Sequence, residues 1–371
     1  MSRTKVDVVI FEGGPPPSPI EKELLPIRRA VMQDNFARLL NLKSRLNRLV
    51  VVTNFEEIQE DAAGFPGVEV QTPQTPFHFG RELHRVVFQH RMERVIYLGN
   101  ACFPLLQEEE LEQIISSLDT SAGVVYTNNV QSSDLVAFTP GEALDAITLP
   151  SMDNSLAVNL RDEGGLAMHL FPSFPGILFD LDTPTDYLVL SCLSSAGPRT
   201  SRALENSSLN LTTMQEAVSV LDDYYLEAAL IGRIGAPLIA HINHHLLLRL
   251  RIISEERGMK ALGRLQSGEV ISLLGFFLGE LGLESFFSYL EKVVQVAFID
   301  SRVLFAHFRK DYSAQERFLS DLGRWEQLED PWLKDFTRLA NECRIPVILG
   351  GHSLVSGGLW VLTDELASRQ Q

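Results

Sequence analysis

The 371-residue chain is 45% apolar and 22% charged, with glycine and proline too sparse for a fibrous or disordered polymer; it is expected to fold throughout, with room for two domains. A formal charge of −16 argues against binding nucleic acid or anionic lipid, because both need a field of lysines and arginines. Three cysteines with no CxxC pair give no sign of a disulfide framework or a thiolate zinc site and suit a reducing compartment.

The opening MSRTKVDVVIFEGG lacks the length and cleavage site of a secretory signal. The run LIAHINHHLLLRLRII is broken by histidine and arginine well short of the roughly 18 apolar residues a membrane span needs. A cytoplasmic location away from membranes is the expectation.

The first predicted strand is VDVVIF (6–11), followed by FEGGPPPSPIEK. Gly13 and Gly14 after a strand let backbone approach a phosphate, and Lys22 at the next helix start offers a cation. Three prolines remove amide donors from the same loop, so a rigid surface turn is the competing reading. A long helical stretch (20–46), the strand LVVVT (49–53), the helix GRELHRVVFQHRM, the strand RVIYLG (94–99), the helix QEEELEQIISSL and the strand AGVVYT (122–127) follow. This alternation predicts a Rossmann-like α/β/α sandwich with a mostly parallel sheet and ligands at the carboxyl ends of its strands.

GILFDLDTPTDYLVL (176–190) places Asp180 and Asp182 at alternating positions of a predicted strand, where both carboxylates face one side and can share a divalent cation. Thr183 and Pro184 read as the cap and first residue of a helix, so capping alone is the plainer alternative. The Ser/Thr/Asn-rich stretch 194–213 reads as a linker between a first domain, 1–193, and a second, 214–371. That second domain has apolar residues at helical spacing and is expected to be mostly helical, with one short strand, IPVILG, and a last helix from Ser353.

Within it, His241 and His245 share a helical face, which can bind a metal if carboxylates converge from elsewhere; helix packing is the plainer reading. In FIDSRVLFAHFRKD, Asp300 and His307 fall on one side of a predicted helix, with Arg302 and Arg309 on another. With Arg257 in SEERGMKALGR and His352 in LGGHSLVSGG, a second polar site of Arg257, Asp300, Arg302 and His352 is expected.

Taken in order, Gly13-Gly14 with Lys22, the stretch FHFGRELHRVVFQH, Pro104-Leu105-Leu106 after the third strand and Asp180-Leu181-Asp182-Thr183-Pro184-Thr185-Asp186 resemble the nucleotidyltransferases of the glycosyltransferase A-like fold, especially the molybdenum-cofactor and 2-phospholactate guanylyltransferases. The resemblance covers the first 193 residues and implies a fold of the nucleotide-diphospho-sugar transferase type. It departs at Cys102, which stands with Asn100 where the family carries a magnesium-binding aspartate, and an arginine between the glycines and the lysine is missing. A thiol is a poor ligand for a hard cation.

The resemblance implies transfer of a nucleoside monophosphate from a nucleoside triphosphate to a small phosphorylated or carboxylated acceptor. Gly13, Gly14, Lys22, Asn100 and Cys102 would lie at the nucleotide, Asp182 and Asp180 would hold Mg²⁺, and Lys22 and Asp182 would be catalytic. The alternative is a catalytically degenerate protein that binds a nucleotide or sugar nucleotide and serves in regulation or assembly. The helical domain is the candidate surface for a homo-oligomer.

Overall fold

The computed structural model describes residues 5–99, 103–130, 133–260 and 263–369. The chain forms two compact units that do not part at one point. The first comprises Met1–Pro16, Arg28–Leu178 and Gly197–Thr200; the second comprises Pro17–Ile27, Phe179–Ala196 and Ser201–Gln371.

The first unit is the expected α/β sandwich. Its strands are β1 (Val6–Phe11), β2 (Leu46–Val52), β3 (Val68–Gln71), β4 (Val95–Gly99), β5 (Val124–Thr127), β6 (Leu135–Thr139) and β7 (Ala167–Leu170). They pair in the order β3-β2-β1-β4-β6-β5-β7, all parallel except β6, which runs antiparallel to β4 and β5. Every residue of β1 and β4 is buried, as strands covered on both faces require. Val9, Phe11, Val50, Val52, Val95 and Tyr97 share one core with Leu83 and Val86 of the helix Phe79–His90. Ile10 and Leu98, one step out of phase, face Met32, Phe36 and Leu39 on the other side. β1 and β4 flank the point where strand order reverses, and crevices open at the carboxyl ends there.

The stretch expected to be a linker is ordered by its contacts. Buried Asp34 accepts hydrogen bonds from the Thr200 amide (2.9 Å) and hydroxyl (2.8 Å), which ties 197–200 into the first unit. Helices Pro198–Glu205 and Thr212–Leu221 then occupy much of 194–213.

The second unit is largely helical, but it is built on a parallel sheet of four strands. These are β8 (Glu227–Gly232), β9 (Arg249–Ser254), β10 (Val296–Asp300) and β11 (Val347–Gly350), in the order β11-β10-β8-β9. Only β11 was expected; β8, β9 and β10 correct the purely helical reading of their segments. Gly232 ends β8 at φ +122°, and a Cβ there would lie 2.4 Å from that of Asp300, so the close approach of β8 to β10 requires glycine.

Pro17–Ile27 joins this unit through a hydrogen bond from the Ile20 amide to Gln315 (3.2 Å) and an ion pair of Glu23 with Arg324 (2.8 Å). Phe179–Ala196 is sewn to β11 by the Thr185 hydroxyl, which donates to the Leu349 carbonyl at 2.7 Å. Among the described residues no single helix is long and apolar enough to cross a membrane; Leu273–Leu281 and Leu283–Val293 pass only as a pair bent by 114°.

Candidate functional site

At the carboxyl ends of β1 to β4 the first unit holds a pocket of about 580 Å³, within the range of small-molecule sites. Its wall is aromatic. Phe11 packs edge-on against Phe77, Phe79 and Tyr97, with ring centres 6.1, 5.6 and 5.6 Å away. Opposite this wall the chain leaves β1 through Gly13 and Gly14. Asn54, just past β2, clasps that loop, accepting from the Gly14 amide at 3.0 Å and donating to the Gly14 carbonyl at 2.9 Å. A Cβ on Gly13 would sit 2.4 Å from the Asn54 side-chain oxygen, so any side chain there would push the Asn54 carboxamide aside.

Polar groups close the pocket on its other sides. Thr72, Gln74 and Thr75 follow β3, and Asp153 accepts a hydrogen bond from the Tyr97 hydroxyl at 2.9 Å. The described lining includes no lysine or arginine. Glu12, buried between β1 and the glycines, pairs with Arg28 at 2.6 Å, which commits that cation to a carboxylate.

Of the residues expected from sequence, Gly13 and Gly14 line this pocket. Asn100 and Cys102 lie outside the described residues. Lys22, in the first turns of the helix Pro19–Asn41, belongs to the second unit, as do Asp180 and Asp182. Asn54, Tyr97 and Asp153 were not anticipated. The position of Asn54 directly after an apolar strand was the available signal, since strand carboxyl ends are where such folds bind.

Asp180 and Asp182 do not stand on a strand. Pro175–Leu178 forms a helical turn, and 179–183 is irregular chain leading into the helix Pro184–Leu190, so the shared strand face expected for the two carboxylates is replaced by a loop. Pro184 occupies the first helical turn and Thr183 the cap, as expected. The acid of this cap is Asp186. Its Oδ2 accepts from the amides of Asp182 (3.0 Å) and Thr183 (2.6 Å) and from the hydroxyls of Thr183 (3.0 Å) and Ser353 (2.8 Å). Its Oδ1 is buried with no hydrogen-bond partner among the described residues. Burial, then the neighbouring Asp182 charge, pushes this carboxyl up to about 7. Asp182 itself is exposed.

A second polar cluster lies at the carboxyl ends of β8, β10 and β11. Asp300 is the last residue of β10 and caps the helix Ser301–His307, which corrects its placement inside a helix beside His307. Arg233, just past β8, grips it with two hydrogen bonds of 2.6 and 3.1 Å, both side chains being buried. Arg302 is held equally closely by Asp321, at 2.6 and 2.5 Å. His352, after β11, is pushed down to about 4 by burial and then by the Arg233 cation, with Arg257 adding to the effect and Asp300 and Asp182 opposing it. The structure thus brings Arg257 and Asp300 each within electrostatic reach of His352, while Asp300 and Arg302 are committed to ion pairs with Arg233 and Asp321.

No family model matches the chain, and neither does any curated protein sequence. Among solved structures it is similar to a protein assigned as a nucleotide-diphospho-sugar transferase from Desulfovibrio desulfuricans G20, with 16% identity and a TM-score of 0.42, covering 55% of this chain and 95% of that one. A cytidylyltransferase from Leptospira borgpetersenii is similar at 17% identity and a TM-score of 0.41, over 55% of this chain and 93% of the other. A CMP:2-keto-3-deoxy-manno-octonic acid synthetase in complex with CTP follows at 15% identity and 0.38, over 54% and 100%. These likenesses concern about half of this chain, and no activity follows from them.

Proposed function

We propose that the first unit binds a nucleotide in the pocket above β1 to β4, with the base against Phe11, Phe77 and Tyr97 and the phosphates toward the Gly13-Gly14 loop. The observation that carries this reading is the pocket itself: about 580 Å³ at the point where strand order reverses, walled by aromatic rings and rimmed by a few fixed polar groups. The protein is read as nucleotidyltransferase-like, joining a nucleoside monophosphate to a small anionic acceptor.

With no lysine or arginine in the described lining, a triphosphate finds no side-chain counter-ion there, so its affinity should depend on a divalent cation. Mg²⁺ suits that task. In the second unit, exposed Asp182 fits a hard cation and with Asp180 is the pair proposed to bind Mg²⁺; Asp186, buried and accepting four hydrogen bonds, does not fit. When bound, Mg²⁺ would neutralise phosphate charge and favour departure of pyrophosphate.

The same aromatic, cation-poor lining also favours a second reading, a binding module for a nucleotide or sugar nucleotide with no transfer step. Thermal melting with GTP, CTP, ATP and UTP, each with and without Mg²⁺, separates the two. A shift with one triphosphate that requires Mg²⁺, with pyrophosphate release lost in Asp182→Ala, supports the transferase. A shift indifferent to metal supports the binding module, and no shift with any of the four sinks the transferase.

A further inference from the structure

The helix Ala236–His245 carries His241 and His245 one turn apart on one face. The helix Leu359–Arg369 in the same unit carries Trp360 and Asp364, again one turn apart. The His241 ring lies flat on Trp360, with centres 3.9 Å apart and planes 8° from parallel, so its orientation is fixed. Its Nε2 lies 2.8 Å from Asp364 Oδ1. Nε2 is buried, and the Asp364 carboxylate beside it is its ion-pair neighbour.

The ring of His245 completes the group, 4.6 Å from that of His241 and tilted by 59°. One donor atom from each of His241, His245 and Asp364 falls within 4.8 Å of the others. Donors about 2.1 Å from one metal, at right or tetrahedral angles, are about 3.0 to 3.4 Å apart, so His241 and Asp364 would part by a few tenths of an ångström and wider separations in the group would close by up to about 1.5 Å. We propose that His241, His245 and Asp364 bind a divalent transition cation of the zinc class. Two imidazoles select such borderline ions over Mg²⁺ and Ca²⁺, which prefer all-oxygen shells. Three protein donors leave at least one position of a tetrahedral ion for water or an anionic ligand. Trp360 serves as the packed support that holds a ligating ring in place.

The test is calorimetric titration of the full chain, stripped with chelator, with Zn²⁺ in a non-coordinating buffer and Mg²⁺ as control. One equivalent of Zn²⁺ is expected at the site and no Mg²⁺ heat from it. His245→Ala and Asp364→Asn should each weaken Zn²⁺ by about 100-fold, whereas His244→Ala, which removes a histidine outside the group, should change it little. Far-UV circular dichroism of each variant checks folding, and the visible bands of bound Co²⁺ should vanish in His245→Ala. Absence of Zn²⁺ binding to wild type, or one equivalent that survives both His245→Ala and Asp364→Asn, overturns the assignment, as does an equal loss in His244→Ala.

Discussion

Replacing Asp186 by asparagine should make the protein more stable above neutral pH. The carboxyl is wholly buried, lies beside the charge of Asp182, and is raised from 3.8 to about 7. Because the folded value lies above the unfolded one, the folded state holds the proton more tightly. Its contribution is therefore full below about pH 4 and is lost as pH rises through 7. The rise corresponds to about 4 kcal/mol at about 1.4 kcal/mol per pH unit, lost by pH 8. An amide of the same shape keeps an oxygen in place of Oδ2, which accepts all four hydrogen bonds, and puts its uncharged nitrogen where Oδ1 has no partner. Guanidinium unfolding at pH 5 and pH 8 measures the effect. Asp186→Asn should exceed wild type by about 1 to 2 kcal/mol at pH 5 and by up to about 4 kcal/mol at pH 8, with a flatter pH profile. A variant that is less stable than wild type at pH 8, or that keeps the wild-type slope, would falsify the buried-acid account and point to Arg302, whose charge acts on Asp186, as holding the carboxylate ionised.

Arg233→Ala strips the buried Asp300 of its cation and should cost about 3 to 5 kcal/mol, read as a lowered melting temperature. Gly13→Ala forces Asn54 aside and should abolish the nucleotide-induced melting shift while the free protein melts almost as before; an intact shift would remove Gly13 from the binding site. Asp34→Ala leaves the amide and hydroxyl of Thr200 without their buried acceptor and should cost about 1 to 3 kcal/mol. Faster proteolysis near 197–200 is the accompanying sign, and an unchanged cleavage pattern would count against Asp34 as its anchor.

β1, β2, β4 and β5 were legible because burial makes each a continuous apolar run, as in VDVVIF and RVIYLG, whereas β6, LVAFT, equally buried in mid-sheet, was missed. The edge strands β3 and β7, VEVQ and AMHL, are mostly half-buried or exposed and carry no such run, so they left no signal. The second sheet was hidden for another reason. Only Val294 and Gln295 separate the helix Leu283–Val293 from β10, and the helix Ser301–His307 follows that strand directly, so one apolar stretch holds helix, strand and helix. A window scored for helical period absorbs the strand between them. Of the candidate site, the glycines were visible as strand-end punctuation, whereas the aromatic wall came from Phe11, Phe77 and Tyr97, which read individually as core.

The acidic motif at 180–186 shows how one string of residues divides its work. Asp186 and Thr183 share the cap of the helix Pro184–Leu190, Thr185 fastens that helix to β11, and Ser353 reaches back to Asp186 from beyond the same strand. An acid buried in that way cannot present its oxygens to solvent or to a phosphate-bound cation, whatever its place in a motif. Asp182 differs because its backbone amide makes the structural bond to Asp186 while its side chain stays exposed. The two acids four residues apart therefore separate on physical grounds, with anchorage at Asp186 and any chemistry at Asp182. Asp182→Ala should accordingly change ligand- and metal-dependent readings with little loss of stability, since its amide bond to Asp186 remains.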